Sequence, residues 1–129
     1  MRRHIIILAS LALLGPLCGR AYALDPSVYQ LRTAADLIAI CSAQGADPDH
    51  DVARAMCAGY VQGGLDLHDV VAAVPAIGPL ACPPATTPVG KIIDAFLGFA
   101  AKHPQIGTEK PIDALIEAAA ATWPCGKAG

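Results

Sequence analysis

No Gly-rich phosphate loop, no H-E-x-x-H and no nucleophile elbow occurs in the 129 residues. That removes the usual sequence signs of phosphoryl transfer, zinc-dependent hydrolysis and serine esterase chemistry. Basic charge is scarce too, nine Lys and Arg against eleven Asp and Glu. Such a surface argues against nucleic acid and anionic lipid as partners, because both are bound through clustered cations. No cysteine pair stands at C-x-x-C spacing, which disfavours a structural zinc site. No stretch reads as a credible strand. The expectation is a binding protein rather than an enzyme, with no cofactor and no metal.

The longest apolar run, Ile5 to Leu14, is too short to span a bilayer. It follows Arg2 and Arg3 and precedes the helix breakers Gly15 and Pro16, then Ala21, Tyr22 and Ala23, the small-bulky-small pattern of a signal-peptidase site. Residues 1–23 therefore read as a signal peptide, with Leu24 as the mature N-terminus, a periplasmic destination and no membrane association after cleavage. Cys18 invites a lipoprotein reading, but Leu17 stands before it where a lipobox wants Gly or Ala. Removing 23 of the 129 residues leaves 106, enough for one domain with a modest core. The remainder has six Lys and Arg against eleven Asp and Glu, a formal charge of −5. That suits a basic protein partner, and it is also the ordinary condition of a soluble domain.

Loss of Cys18 leaves Cys41, Cys57, Cys82 and Cys125, an even number in a short exported chain, which reads as two disulfides. Apolar spacing and helix punctuation give an all-α fold: a small, disulfide-stapled domain of four helices over residues 24–129. The first helix opens at Thr33, with Asp36 completing a capping-box pattern, and buries Leu37, Ile40 and Cys41. After a polar loop from Gln44 to Asp51, a second runs from about Asp51 to Val71 on Met56, Cys57, Tyr60, Val61, Leu65 and Val70. Gly59, Gly63 and Gly64 weaken it by roughly 1 kcal/mol each relative to Ala, and their expected use is close approach of another backbone.

Val74 to Pro84, with four prolines, reads as an irregular connection. Thr87 as N-cap and Pro88 at the first helical position start a third helix whose stripe is Val89, Ile92, Ile93, Phe96, Leu97 and Ala100. It stops before His103 and Pro104. The loop from Gln105 to Lys110 leads to Pro111 and a fourth helix that buries Ile112, Leu115, Ile116 and Ala119 before Trp123 and Pro124. Helices three and four, joined by a short loop, should lie antiparallel. Cys82, before the start of one, then meets Cys125, after the end of the other. Cys41 and Cys57 are left to pair across the polar loop, and each bridge is worth about 2–4 kcal/mol.

Three polar groups invite functional readings. Asp47, Asp49, His50 and Asp51 have metal-ligand chemistry, but Asp and Pro48 are also what a turn and a helix N-terminus require. Asp66, His68 and Asp69 suggest acid–base work, yet no nucleophile stands beside them, and a solvated helix end explains them. His103 suits a helix C-terminus, where a cation is favoured by the dipole.

The order of motifs carries a resemblance. Leu37 to Cys41, then Cys57-Ala58-Gly59-Tyr60-Val61-Gln62-Gly63-Gly64-Leu65-Asp66, then Cys82-Pro83-Pro84, Lys102-His103-Pro104 and Trp123-Pro124-Cys125 resemble the Rap/Tai immunity family, over about residues 33–125. The specific part is the ordered set of four cysteines with the G-Y-x-x-G-x-x-D segment. The chain departs from the family pattern in a long Cys41–Cys57 loop and in the Pro-rich, apolar stretch Ala73 to Ala81.

The resemblance implies a periplasmic, all-helical protein, often a homodimer, that binds and blocks a peptidoglycan amidase delivered by a type VI secretion system. Such an inhibitor needs a rigid surface and no catalytic group. Because loops carry recognition, the expected contacts are His103, Gln105, Thr108, Glu109 and Lys110, although a polar turn alone explains those residues too. Gly59, Tyr60, Gly63 and Asp66 match the family motif and read as structural, serving close helix packing and a hydrogen-bonded helix end. The competing reading is a periplasmic stress or holdase protein, or an accessory envelope subunit, using the apolar stretch Val71 to Leu80 to bind many clients.

Overall fold

A computed structural model of the protein describes residues 23–126. The expected signal segment, Cys18 included, lies outside the described residues except for Ala23. Four α-helices form, with no strand among the described residues. A 3-10 turn at Pro26–Gln30 leads to α1 (Ala34–Cys41); α2 (His50–Ala72), α3 (Val89–Lys102), a second 3-10 turn at Pro104–Thr108 and α4 (Pro111–Thr122) follow.

The short helix α1 is the centre of the molecule. It packs on all three other helices and on both 3-10 turns. Leu37, Ile40 and Cys41 on its inner stripe are fully buried, together with Ala34. Both ends are tied. The Asp36 carboxylate accepts the Thr33 and Arg32 N–H groups at 3.0 and 2.9 Å, as a capping box requires at that end. At the other end Arg54 of α2 donates to the Cys41 carbonyl at 3.1 Å, placing a cation where the helix dipole is negative. Around α1 gather Val61, Phe96 and Leu115, each at 0 % exposure, one from each longer helix.

The two bridges are Cys41–Cys57 and Cys82–Cys125, the pairing the helix order suggests. Cys41 and Cys57 are wholly buried. Cys82, by contrast, is exposed. Beside it the Cys82 N–H donates to the Trp123 carbonyl at 2.9 Å, so the connection after α2 is tied to the C-terminal end of α4 twice over.

Three sequence expectations need correction. The third helix begins one residue late: Pro88 has ψ 144°, extended rather than helical, so Pro88 is itself the N-cap and Thr87 lies outside. Val70 is 70 % exposed, because the inner stripe of α2 is Ala53, Cys57, Val61 and Leu65, and Val70 lies off it. Gly59 and Gly63 do not mediate close packing within the chain, since a Cβ on either meets nothing within 4 Å. Only Gly64 is tight, with a Cβ there standing 2.9 Å from Ile112 Cδ1 and 3.2 Å from Leu115 Cδ2. The intruders are side chains of α4 rather than backbone.

That contrast sets a stability test. Gly59→Ala and Gly63→Ala should each raise the urea unfolding free energy by roughly 0.5–1 kcal/mol, the helix-propensity gain at open positions. Gly64→Ala should show less gain or a loss, because buried Leu115 has no room to retreat.

Candidate functional site

At Leu65 the buried stripe of α2 ends, and the helix runs on to Ala72. Beyond that point its aliphatic residues face outward: Leu67, Val70 and Val71 are 58, 70 and 40 % exposed, and in the segment that follows Val74, Ile77 and Leu80 are 45, 55 and 62 % exposed. Six large aliphatic side chains left in water side by side mark an interaction surface rather than a core. Several of them turn toward one another across a groove of about 410 Å³, floored by Gly64, Leu67 and Val71 of α2, walled by Ile77 and Leu80, and closed by Ile112 and Ile116 of α4. Gly78, at φ 69°, turns the wall segment back on itself in the left-handed region that glycine adopts without strain.

A histidine holds that wall in place. The Leu80 and Ala81 N–H groups both donate to His68 Nε2, at 3.1 and 3.3 Å. With two donors on Nε2, the ring proton sits on Nδ1, 3.2 Å from Asp69 Oδ1. The His68 side chain is only 7 % exposed. The expectation of a solvated helix end at Asp66, His68 and Asp69 therefore holds for the two aspartates, both exposed, and fails for the histidine. Asp66 is bonded on the outer face of α2, where its Oδ1 accepts from Gln62 at 2.8 Å. Tyr60 lies one turn before Gly64 and is half-buried; burial, and then the charge of Asp113, push its hydroxyl pKa above the usual 10.

The polar loop expected to carry contacts is a tightly held 3-10 turn. Ile106 plugs the core at 1 % exposure. The Glu109 carbonyl accepts the Ala34 N–H at 2.8 Å, locking the turn to the start of α1, and Thr108 Oγ1 donates to the Gln105 carbonyl at 3.3 Å. Gln105, Thr108 and Lys110 are exposed, Glu109 is partly covered, and His103 stacks on Phe99 with ring centroids 4.2 Å apart. His103 ends α3, as its position before Pro104 suggests, and Lys102 supplies the cation of the last turn.

Asp47 and Asp49 make a turn in which Asp47 Oδ1 accepts the Asp49 N–H at 2.9 Å, and His50 Nδ1 lies 3.1 Å from Asp51 Oδ1. Among the described residues no group of three or more His, Cys, Asp or Glu side chains is placed to hold a metal ion. The neighbouring Tyr29 hydroxyl is buried with no partner, and desolvation, followed by the charges of Asp49 and Asp47, raises its pKa.

A family model of Rap1a immunity proteins matches residues 33–125, from the cap of α1 to the last cysteine. The chain belongs to the Rap1a immunity protein family. No curated protein and no solved structure is similar enough to match. Among the described residues of this Rap1a-family chain, no helix is long and apolar enough to cross a membrane. The His68 latch holds the segment that joins α2 to the Cys82–Cys125 bridge.

The latch is open to direct measurement. His68→Leu removes the acceptor and should speed amide exchange at Leu80 and Ala81 by about tenfold or more, whereas His68→Gln keeps one and should speed it less. Unchanged exchange in the Leu variant would mean that the attachments of Cys82 to Trp123 and Cys125 position the wall without His68.

Proposed function

We propose that this protein is a periplasmic immunity protein that binds and inhibits a peptidoglycan amidase delivered by a type VI secretion system, acting as a non-enzymatic inhibitor. The reading rests on family membership over residues 33–125. Export through residues 1–23 and assembly as a homodimer are parts of the same proposal.

The physical demand on such a protein is a rigid surface, because each side chain immobilised on binding costs roughly 0.5–1.5 kcal/mol. The Pro104–Thr108 turn meets that demand. Its backbone is held by α1 and its Ile106 by the core, so Gln105, Thr108 and Lys110 project from a surface already ordered before the partner arrives. These residues, with His103 and Glu109, are the proposed contacts. A holdase role is the second reading, supported by the exposed aliphatic surface from Leu67 to Leu80.

Purified, oxidised protein should abolish muropeptide cleavage by its cognate amidase at a one-to-one ratio of chains. Lys110→Glu together with Gln105→Ala should weaken inhibition by about tenfold or more, the range of an interface hot spot. Suppression of aggregation of many unrelated unfolded proteins, with no amidase inhibited, would replace the immunity reading by the holdase one.

A further inference from the structure

The segment that walls the groove is fastened in two ways that acid leaves alone and in one that acid can undo. At Cys82 the N–H bonds the Trp123 carbonyl at 2.9 Å and the side chain is joined to Cys125, and neither attachment has a proton to gain between about pH 5 and pH 8. Just before it, Leu80 and Ala81 donate to a ring nitrogen instead, His68 Nε2, at 3.1 and 3.3 Å. Imidazole is the side chain whose charge changes within that range.

Those two bonds require one state of the ring. Nε2 accepts only while it carries no proton, so the closed wall needs the neutral ring with its hydrogen on Nδ1, where Asp69 Oδ1 lies 3.2 Å away. A second proton turns Nε2 into a donor and sets its N–H against two backbone N–H groups. Three partly positive hydrogens then converge on one point, and both bonds to the wall are lost together. With its side chain only 7 % exposed, a charged His68 left in place is also cut off from most of its water.

Neighbouring charges do not replace the lost acceptor. Asp69, on the same helix, faces the opposite edge of the ring and is exposed; Asp113 of α4 shares the groove lining and is exposed as well. Both carboxylates attract a charged ring, but the Leu80 and Ala81 N–H groups bond His68 and neither of them. The segment itself, residues 73–81, carries no titratable side chain. The other two histidines among the described residues lie elsewhere, His50 beside Asp51 and His103 stacked on Phe99.

We propose that His68 is a proton-operated latch on the groove. At neutral pH its bare Nε2 holds the wall that carries Ile77 and Leu80, and acid releases that wall while Cys82 stays anchored. The direction follows from the proton count: the closed form carries one ring proton and the released form can carry two, so closure is complete at the basic end of the range and lost as pH falls. Release loosens the groove without unfolding the chain, because the buried core is aliphatic apart from Phe96 and the Cys41–Cys57 bridge and has nothing to titrate there. The latch belongs to the fold, so its test is independent of any amidase.

Exchange of single amides with water, measured by NMR on the oxidised protein at about pH 8 and about pH 5 and divided by the rate of an unprotected amide at the same pH, reads the latch directly. Protection of Leu80 and Ala81 should fall about tenfold or more on acidification. Ala34 and Cys82, bonded to the backbone carbonyls of Glu109 and Trp123, should keep theirs. His68→Gln, whose side-chain oxygen accepts at either pH, should show no fall. His68→Leu, with no acceptor, should show at the basic end the low protection that acid produces in the unaltered protein. The imidazole nitrogen shifts should report Nε2 bare at the basic end and protonated at the acidic end. Equal protection of Leu80 and Ala81 at the two pH values, the same fall in His68→Gln, a parallel fall at Ala34 and Cys82, or a proton on Nε2 at the basic end would each overturn the proposal.

Discussion

An eight-residue helix is too short to hold itself together in water, yet α1 is the element on which every other one packs. Its stability is borrowed. Asp36 accepts the N–H groups of Arg32 and Thr33 just ahead of the helix, the guanidinium of Arg54 satisfies a last carbonyl, and the Cys41–Cys57 bridge welds it to α2 inside the core. Once α1 is held, the rest of the geometry follows. The Glu109 carbonyl bonded to Ala34 sets the Pro104–Thr108 turn against its start, and Leu37 and Ile40 set the depth at which the longer helices meet.

The other half of the molecule is governed by a mismatch of lengths. At about 1.5 Å per residue, α2 with its 23 residues is nearly twice as long as α4 with its 12. The surplus carries Leu67, Val70 and Val71 into water, and a helix left that way invites a cover. The chain folds back over it through Gly78, but only in part. Four prolines spaced through the returning segment interrupt any helix or strand, and it runs as turns. It is held by two N–H groups on His68 and by the attachments of Cys82 to Trp123 and Cys125. What remains is an aliphatic groove between α2, the returning segment and α4.

Much of the core half was legible in the sequence. The cap at Thr33 and Asp36, the start of α4 at Pro111 and its end before Trp123 are local events decided within a turn of the residues that signal them. The disulfide pairing was legible as well, because helix order and a short α3–α4 loop leave little choice of neighbours. The misreadings share a different origin. Gly59 and Gly63 look like packing positions until the facing helix is known, and α4 approaches only Gly64. Val70 matches a loose spacing of apolar residues, but the groups that would bury it are absent. In the sequence His68 has, with its neighbours, the look of a wet helix end, since the amides it accepts from lie 12 and 13 residues further along.

The sequence by itself determined the four helices, the cap of α1, the start of α4, the cysteine pairing and the motif order that places the chain in its family. Each depends on periodicity, on hydrogen bonds spanning one turn, or on the order of residues along the chain, all of which are linear properties. Tertiary structure alone decided which aliphatic residues at the end of α2 stay exposed, which glycine is crowded, and what His68 holds. Those outcomes depend on how far each helix extends beside its neighbours, and the length of one helix carries no information about where another ends. The overhang of α2 past its buried stripe, and with it the groove, exists only in the packed molecule.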